Sequence, residues 1–344
     1  MNAVPDTMRA AVLVQPHRIE VEERPVPRPG RREVLVEVAA VGLCGSDVHY
    51  YEHGRIGSHV VDAPLVLGHE PSGRVAALGP DVASRHVGER VSLEPGVPCF
   101  TCQQCLRGRY NLCPGMRFFA TPPVDGAFCE YVVLHEDFAH PVPDSLTDEA
   151  AALLEPLSVG VWAGRKARVD AGARVLVTGA GPVGLVALQV ARAHGAAEVV
   201  VSDVNVHRLA LAAELGATAV VDAGAGGLDD LDLEVDVLLE CSGVAAVATQ
   251  AVGLVGRAGR VVLVGMGADQ VALPLAQVQG YEVEVTGTFR YANTWPEAIR
   301  LAASGAVLLD ALVSGRFGLD DVEAALTAPA RDETCVKPVV TPGA

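Results

Sequence analysis

The segment Arg174–Gly195 constrains this chain more than any other. It runs from an apolar, β-branched stretch, RVLVT, through GAGPVG into a helical pattern that closes on glycine. Gly179, Gly181 and Gly184 stand at G-x-G-x-x-G spacing, a signal that carries weight only between a strand and a helix, and here it lies between both. The first glycine permits the tight turn, the second lets backbone approach a pyrophosphate, and the third allows close helix–strand packing. Pro182 and Val183 open the helix, whose N-terminus offers free N–H groups and a positive dipole end to phosphates. Asp203 ends the next strand, nineteen residues after Gly184. A carboxylate there accepts hydrogen bonds from the adenosine ribose and repels a 2′-phosphate, which favours NAD over NADP. Arg208 is placed to flank the adenine. The plainer alternative is an ordinary turn with Asp203 as a helix cap. The coincidence of strand, glycines, helix and acid argues for the dinucleotide.

The same rhythm continues downstream. Strands are expected at Arg174–Thr178, Glu198–Ser202, Val235–Leu239 and Arg260–Val264, with helices at Pro182–Gly195, Val206–Gly216 and Ala245–Val255. Such alternation implies βαβ units and a doubly wound parallel sheet. Upstream of Thr147 the texture differs: Glu33–Val41, Gly73–Leu78 and Gly88–Leu93 read as short strands among Pro and Gly. Asp148–Ala163 reads as a helix despite Pro156. The tail is mixed, with helices at Trp295–Ser304 and Asp320–Thr327 and a closing strand at Val336–Val340. For 344 residues two domains are expected. We place one over 1–150 and 290–344 and the other over 151–289.

Lys and Arg number 26 against 42 Asp and Glu, a net charge of −16. A uniformly acidic chain repels phosphate backbones, so nucleic acid is not expected as a partner. Gly and charges interrupt every apolar stretch before a membrane span's length, so no membrane association is expected. Met1–Arg9 lacks a signal peptide's pattern, and the expected compartment is the cytoplasm. Eight cysteines in a reducing compartment point to metal before disulfides. Cys99, Cys102, Cys105 and Cys113 fall in one loop with Arg107 and Arg109 and no carboxylate, four soft ligands suited to a closed, structural zinc site. An iron–sulfur cluster also uses four cysteines. A zinc ribbon is disfavoured by the spacing and the acidity. Cys129, Cys241 and Cys335 read as small buried apolar residues.

Cys44, in GLCGSDVHYYEHGRIG, His69 and Glu70, in PLVLGHEPSG, and Glu155 in EPL are donors suited to a catalytic zinc with one open position. Spacing alone does not bring them together. Read singly, Cys44 is a buried thiol and His69 a satisfied surface histidine. The motifs taken together resemble the medium-chain zinc-dependent alcohol dehydrogenases, and within them the sorbitol, or polyol, dehydrogenase branch. The resemblance rests on those two segments, the loop closing in GRYNLCP, GAGPVGL and TFRYANTWPEAIRL, spread over residues 34–305.

That resemblance implies an α/β protein: a GroES-like, β-rich catalytic domain plus an inserted Rossmann doubly wound parallel-sheet domain. It implies NAD and two zinc ions per subunit, a homotetramer, and reversible oxidation of a polyol of the sorbitol, xylitol or arabinitol class to a ketose. The catalytic zinc is held by Cys44, His69 and either Glu70, the usual third ligand in the polyol branch, or Glu155. Horse-liver-type enzymes carry a cysteine where Glu155 stands. The proton is expected to leave through Ser46 or the zinc-bound water, then by the cofactor ribose or Glu155, with His49 as the exit to solvent. Tyr50, Phe118, Arg290 and Tyr291 line the substrate site. Val264, Gly265, Met266, Thr288, Phe289 and Arg290 approach the nicotinamide. All four loop cysteines are kept, as in microbial, insect and fungal members rather than animal sorbitol dehydrogenases. An L-threonine or amino-alcohol dehydrogenase is the rival, against which FRYANTWP and Tyr50–Tyr51 speak. A non-catalytic dinucleotide- or zinc-binding protein would have a broken catalytic set.

Overall fold

The computed structural model describes residues 4–228, 232–267 and 269–343. The chain divides into two compact units, one of residues 1–155 with Leu309–Ala344, the other Pro156–Leu308.

The first unit is β-rich. Its main sheet runs in the order Ala139–Pro141, Arg90–Leu93, Glu70–Leu78, Glu33–Gly42, Lys337–Val340, Val313–Phe317, with Tyr131–His135 also on Glu33–Gly42. A smaller sheet joins Arg18–Pro25, Thr7–Gln15 and Leu65–Val66. The closing strand returns the tail to this unit, pairing antiparallel with Val339 opposite Gly42 and Val340 opposite Val41. Helix Val322–Arg331 buries Val322, Ala325 and Leu326 in the same core as Val36, Val38 and Phe128. Buried Glu136 anchors a turn here. It accepts hydrogen bonds from the amides of Ala83 and Ser84, the Ser84 hydroxyl and the Arg32 guanidinium, which together hold its carboxyl down at about 2.

The second unit holds a parallel sheet in the order Ala219–Asp222, Glu198–Asp203, Arg174–Thr178, Val235–Glu240, Val255–Leu263, Glu284–Gly287. The order reverses beside Arg174–Thr178, the switch point where such sheets take ligands. The central strands read as continuous apolar runs because both of their faces are covered.

Three local differences from the sequence reading have physical causes. The expected helix Asp148–Ala163 is two helices, Asp148–Ala152 capped by the Thr147 hydroxyl and Leu154–Ala167. Pro156 falls in the first turn of the second, where its missing N–H costs nothing. The strand Val255–Leu263 begins five residues before Arg260, inside the span read as helix and turn. The second boundary lies after Leu308 rather than after 289. Residues 290–308 stay with the parallel-sheet unit because helix Trp295–Ala303 is pinned there. Its Glu297 accepts from Arg165 Nε at 2.9 Å and meets His194 Nε2 at 2.8 Å, and the Leu308 amide donates to Gln189 at 2.7 Å.

Candidate active site and metal centres

Strand Glu33–Gly42 ends two residues before helix Gly45–His53, and Cys44 is the helix N-cap. Asp47, three residues on, turns back and accepts from the Cys44 amide at 3.0 Å. Its other oxygen accepts from the Gly68 amide at 2.9 Å and lies 3.5 Å from His69 Nδ1. Gly68 has φ +87°, and a Cβ there would fall 2.8 Å from the Phe128 ring, so only glycine fits the turn that delivers His69. Glu70 begins the adjacent strand opposite Gly42, and a Cβ on Gly42 would lie 2.1 Å from its Oε2. One carboxylate, that of Asp47, thus ties two separate segments, 44–47 and 68–69, around the thiol and the imidazole.

The donor atoms of Cys44, His69 and Glu70 all lie within 4.8 Å of one another. With Nδ1 turned to Asp47, Nε2 of His69 is the nitrogen free to bind a metal. Thiolate, imidazole and carboxylate are the three-ligand set of a catalytic zinc with an open position. Asp47 is fully buried, and burial alone would raise its carboxyl. The His69 imidazole and the Gly68 and Cys44 amides outweigh burial and hold it below the ordinary range. Burial likewise opposes protonation of His69, but the charges of Asp47 and Cys44 prevail and raise it. The ammonium of Lys337 completes the cluster, 2.7 Å from Glu70 Oε1 and 2.7 Å from the Leu43 carbonyl oxygen.

Among the other expected residues of this unit, Phe118 is buried with its ring 5.7 Å from that of His69. Tyr50 is buried on the same helix as half-buried Ser46 and exposed His49, whose ring meets His53 edge-on at 4.6 Å. Glu155 is buried and stands outside the three-donor group, close enough for its charge to act on Lys337. Sequence reading missed Asp47 and Lys337. For Asp47 the signal is an acid at the N3 position of a helix beginning at a donor cysteine. For Lys337 it is a lone charge in the apolar run CVKPVV.

Cys99, Cys102, Cys105 and Cys113 form a second group, again within 4.8 Å of one another. The Cys102–Cys105 and Cys99–Cys105 sulfur separations are 3.4 and 4.0 Å. They bracket the ~3.8 Å between sulfurs in a tetrahedron with zinc–sulfur bonds of about 2.3 Å. The Thr101 and Cys102 amides and the Thr101 hydroxyl draw the Cys99 thiol down to about 6, and the Cys99 amide points at Cys113 Sγ at 3.3 Å. Burial and the neighbouring sulfurs push the Cys105 thiol the other way, up to about 12, so the loop favours a thiolate at Cys99 and a metal cation would be needed to hold all four. Replacing Cys105 by serine is expected to remove one zinc per subunit, measured by elemental analysis. It should lower Tm by about 5–10 °C, for roughly 2–3 kcal/mol lost.

In the other unit, Gly179 has φ +85°. A Cβ on Gly184 would lie 1.8 Å from the Gly179 carbonyl oxygen, whereas a Cβ on Gly181 would meet nothing within 4 Å. The three glycines therefore take three jobs: turn, open approach for a ligand, and close packing. Gly181 is the N-cap of helix Pro182–Ala193. Asp203 accepts from the Ala180 amide at 2.5 Å and the Asn205 amide at 2.8 Å, so it braces the glycine turn. Arg208 Nε is buried with no hydrogen-bond partner among the described residues, an orphaned donor that a polar cofactor would satisfy.

Val264 and Gly265 both donate from their amides to the Glu240 carbonyl at 2.8 Å, and a Cβ on Gly265 would strike the Gly243 amide nitrogen at 2.3 Å. Met266 is 73% exposed, and Thr288 donates from its amide to Leu263 at 3.0 Å. Arg290 (φ +51°) lays its guanidinium over exposed Phe289 at 4.9 Å, and buried Tyr291 packs edge-on to Trp295 at 5.2 Å.

Residues 30–144 match the family model described as alcohol dehydrogenase GroES-like domain, and residues 182–304 match that of zinc-binding dehydrogenase. The chain is 41% identical to the sorbitol dehydrogenase of Bacillus subtilis (strain 168), covering 99% of both chains. This chain belongs to the zinc-dependent medium-chain alcohol dehydrogenases. Within them it lies in the sorbitol dehydrogenase branch: it is also 45% identical to the sorbitol dehydrogenase of Mus musculus, over 92% of this chain and 91% of that one. The solved L-idonate 5-dehydrogenase of Escherichia coli superposes with a TM-score of 0.91 at 30% identity, covering 97% of this chain and 98% of that one. In this dehydrogenase the GroES-like match falls within the β-rich unit and the zinc-binding dehydrogenase match within the parallel-sheet unit.

Proposed function

We propose that this protein catalyses the reversible oxidation of a secondary hydroxyl of a C4–C6 polyol to a ketose, with NAD taking up the hydride and one proton released. The observation that carries the reading is the donor group of half-buried Cys44 with buried His69 and Glu70, its thiol and imidazole segments held by Asp47. A zinc ion held there would supply Lewis-acid polarisation of the substrate hydroxyl, while the nicotinamide accepts the hydride.

The chain's own residues bind, orient and move the proton. Ser46 and His49 lie three positions apart on one helix, hence on one face. Ser46 accepts the hydroxyl proton. His49, exposed on that helix, passes it to solvent. Glu155 is a second proton acceptor near the cluster. Phe118 forms an apolar wall beside His69, and Tyr50, Tyr291 and the donor-rich guanidinium of Arg290 orient the remaining hydroxyls.

Gly179, Gly181 and Gly184 with the helix from Pro182 hold the pyrophosphate. Asp203 selects NAD, Arg208 flanks the adenine, and Val264–Met266 with Thr288 and Phe289 shape the nicotinamide end. A second zinc in the four-cysteine loop is structural. We further propose a cytoplasmic homotetramer. All eight cysteines are free thiols, which suits a reducing compartment. No helix among the described residues is long and apolar enough to cross a membrane. Strand Glu284–Gly287 pairs on one side only among the described strands, leaving an edge for a second subunit.

The test is NADH formation from sorbitol, xylitol and arabinitol against L-threonine. The expected result is a kcat/KM for at least one polyol about 100-fold or more above that for L-threonine, since a site built around several hydroxyls leaves donors unpaired with the amino acid. Preference for L-threonine would overturn the substrate class.

A further inference from the structure

One charged group in the catalytic cluster has no part in the chemistry above. Lys337 begins the otherwise apolar strand Lys337–Val340 and is 1% exposed. Its ammonium lies 2.7 Å from Glu70 Oε1 and 2.6 Å from Oε2, and it donates to the Leu43 carbonyl at 2.7 Å. The strands carrying Lys337 and Glu70 flank strand Glu33–Gly42 on either side. The contact is made across Gly42, where a Cβ would lie 2.1 Å from Glu70 Oε2 and 3.2 Å from Lys337 Cε. The sheet leaves the middle strand without a side chain at the one position where the two outer side chains meet.

A buried ion pair is a poor device for stability, since apolar residues of similar volume usually serve as well. This one has a different consequence. Its ammonium hydrogen-bonds Oε1 and lies 2.6 Å from Oε2, and Oε2 has no hydrogen-bond partner among the described residues, an orphaned acceptor in the carboxylate that groups with Cys44 and His69. Outer partners set how strongly a ligand donates to its metal. Asp47 is an anion behind His69 and strengthens the imidazole as a donor. Lys337 is a cation behind Glu70 and acts with the opposite sign.

We propose that Lys337 is a positioning residue for the catalytic metal: its ammonium neutralises Glu70 before zinc arrives and competes for that carboxylate afterwards, so the site binds zinc less tightly and keeps it more electron-poor. The inference rests on the reading of Glu70 as the third ligand.

The experiment is chelator competition on the zinc-loaded full-length protein, with the four-cysteine zinc as an internal reference that should not move. Lys337→Met is expected to hold the catalytic zinc about 10–100-fold more tightly, Asp47→Asn to loosen it by a similar factor, and Lys337→Arg to stay near wild type. The gain in Tm on loading the catalytic site should be larger in Lys337→Met, because Glu70 has no counter-charge without the metal, and its kcat should fall although zinc is held better.

Folded Lys337→Met with unchanged or weaker zinc affinity would overturn the proposal. Folding only in the presence of zinc counts for it. If Lys337→Met does not fold at all, the zinc-loaded wild-type crystal structure decides: Nζ kept within hydrogen-bond distance of Glu70 supports competition, and Nζ withdrawn from it refutes competition. Glu70→Gln separates the two layers. Unchanged zinc affinity in that variant removes Glu70 as a ligand, whatever Lys337→Met does.

Discussion

Replacing His69 with alanine, or Cys44 with serine, is expected to lower kcat/KM for NAD-dependent polyol oxidation by at least about 1,000-fold and to release one of two zinc ions per subunit. The magnitude follows from losing roughly 4 kcal/mol of transition-state charge stabilisation at about 1.4 kcal/mol per tenfold. The two residues come from segments that only the fold unites, through the Asp47 carboxylate on the Cys44 and Gly68 amides. Truncating His69 also strips Asp47 of the imidazole that holds its carboxyl low despite full burial. The second zinc, in the four-cysteine loop, should remain, so elemental analysis separates loss of the catalytic ion from general unfolding. NAD binding, measured by fluorescence titration, should change little, because every glycine-turn residue lies in the other unit. Retention of both ions with activity lost would mean that the cluster is not the metal site.

Replacing Asp203 with alanine is expected to reduce the preference for NAD over NADP by about 100-fold or more. Removing one like charge from the position of a 2′-phosphate is worth roughly 3 kcal/mol at that ratio. The structure adds a second effect. Asp203 accepts from the Ala180 and Asn205 amides, so its loss also frees the glycine turn. KM for NAD should therefore rise as KM for NADP falls. Asp203→Asn, which keeps an oxygen acceptor, should move selectivity while sparing more of the NAD affinity. An unchanged cofactor ratio in both variants would remove Asp203 from the ribose site.

The parallel-sheet unit was legible because its signals are local. Strand, glycine turn and helix follow one another within Arg174–Gly195, and each glycine's job can be read from its position. Edges were less so. Glu284–Gly287, with a charge and a glycine in four residues, is not among the expected strands, yet it completes the sheet. Residues 290–308 were expected with the catalytic unit, and their allegiance depends on Glu297 meeting Arg165 and His194, partners more than a hundred positions away. The four-cysteine loop was readable from spacing because its donors are close in sequence. The catalytic cluster was not: Glu70 and Lys337 are 267 residues apart, and only the family resemblance suggested that Cys44 and His69 meet. That resemblance named ligands and substrate contacts but neither Asp47 nor Lys337, because groups behind the ligands are defined by packing rather than by motif.

The central claim is that a zinc ion at Cys44, His69 and Glu70 drives polyol oxidation by NAD. Its most direct test is NADH formation across a panel of C4–C6 polyols with the zinc-loaded enzyme, after chelation, and after zinc is restored. The account predicts turnover of at least one polyol, loss of nearly all activity when the catalytic ion is removed, and recovery when it returns. Equal rates before and after stripping that ion would contradict it.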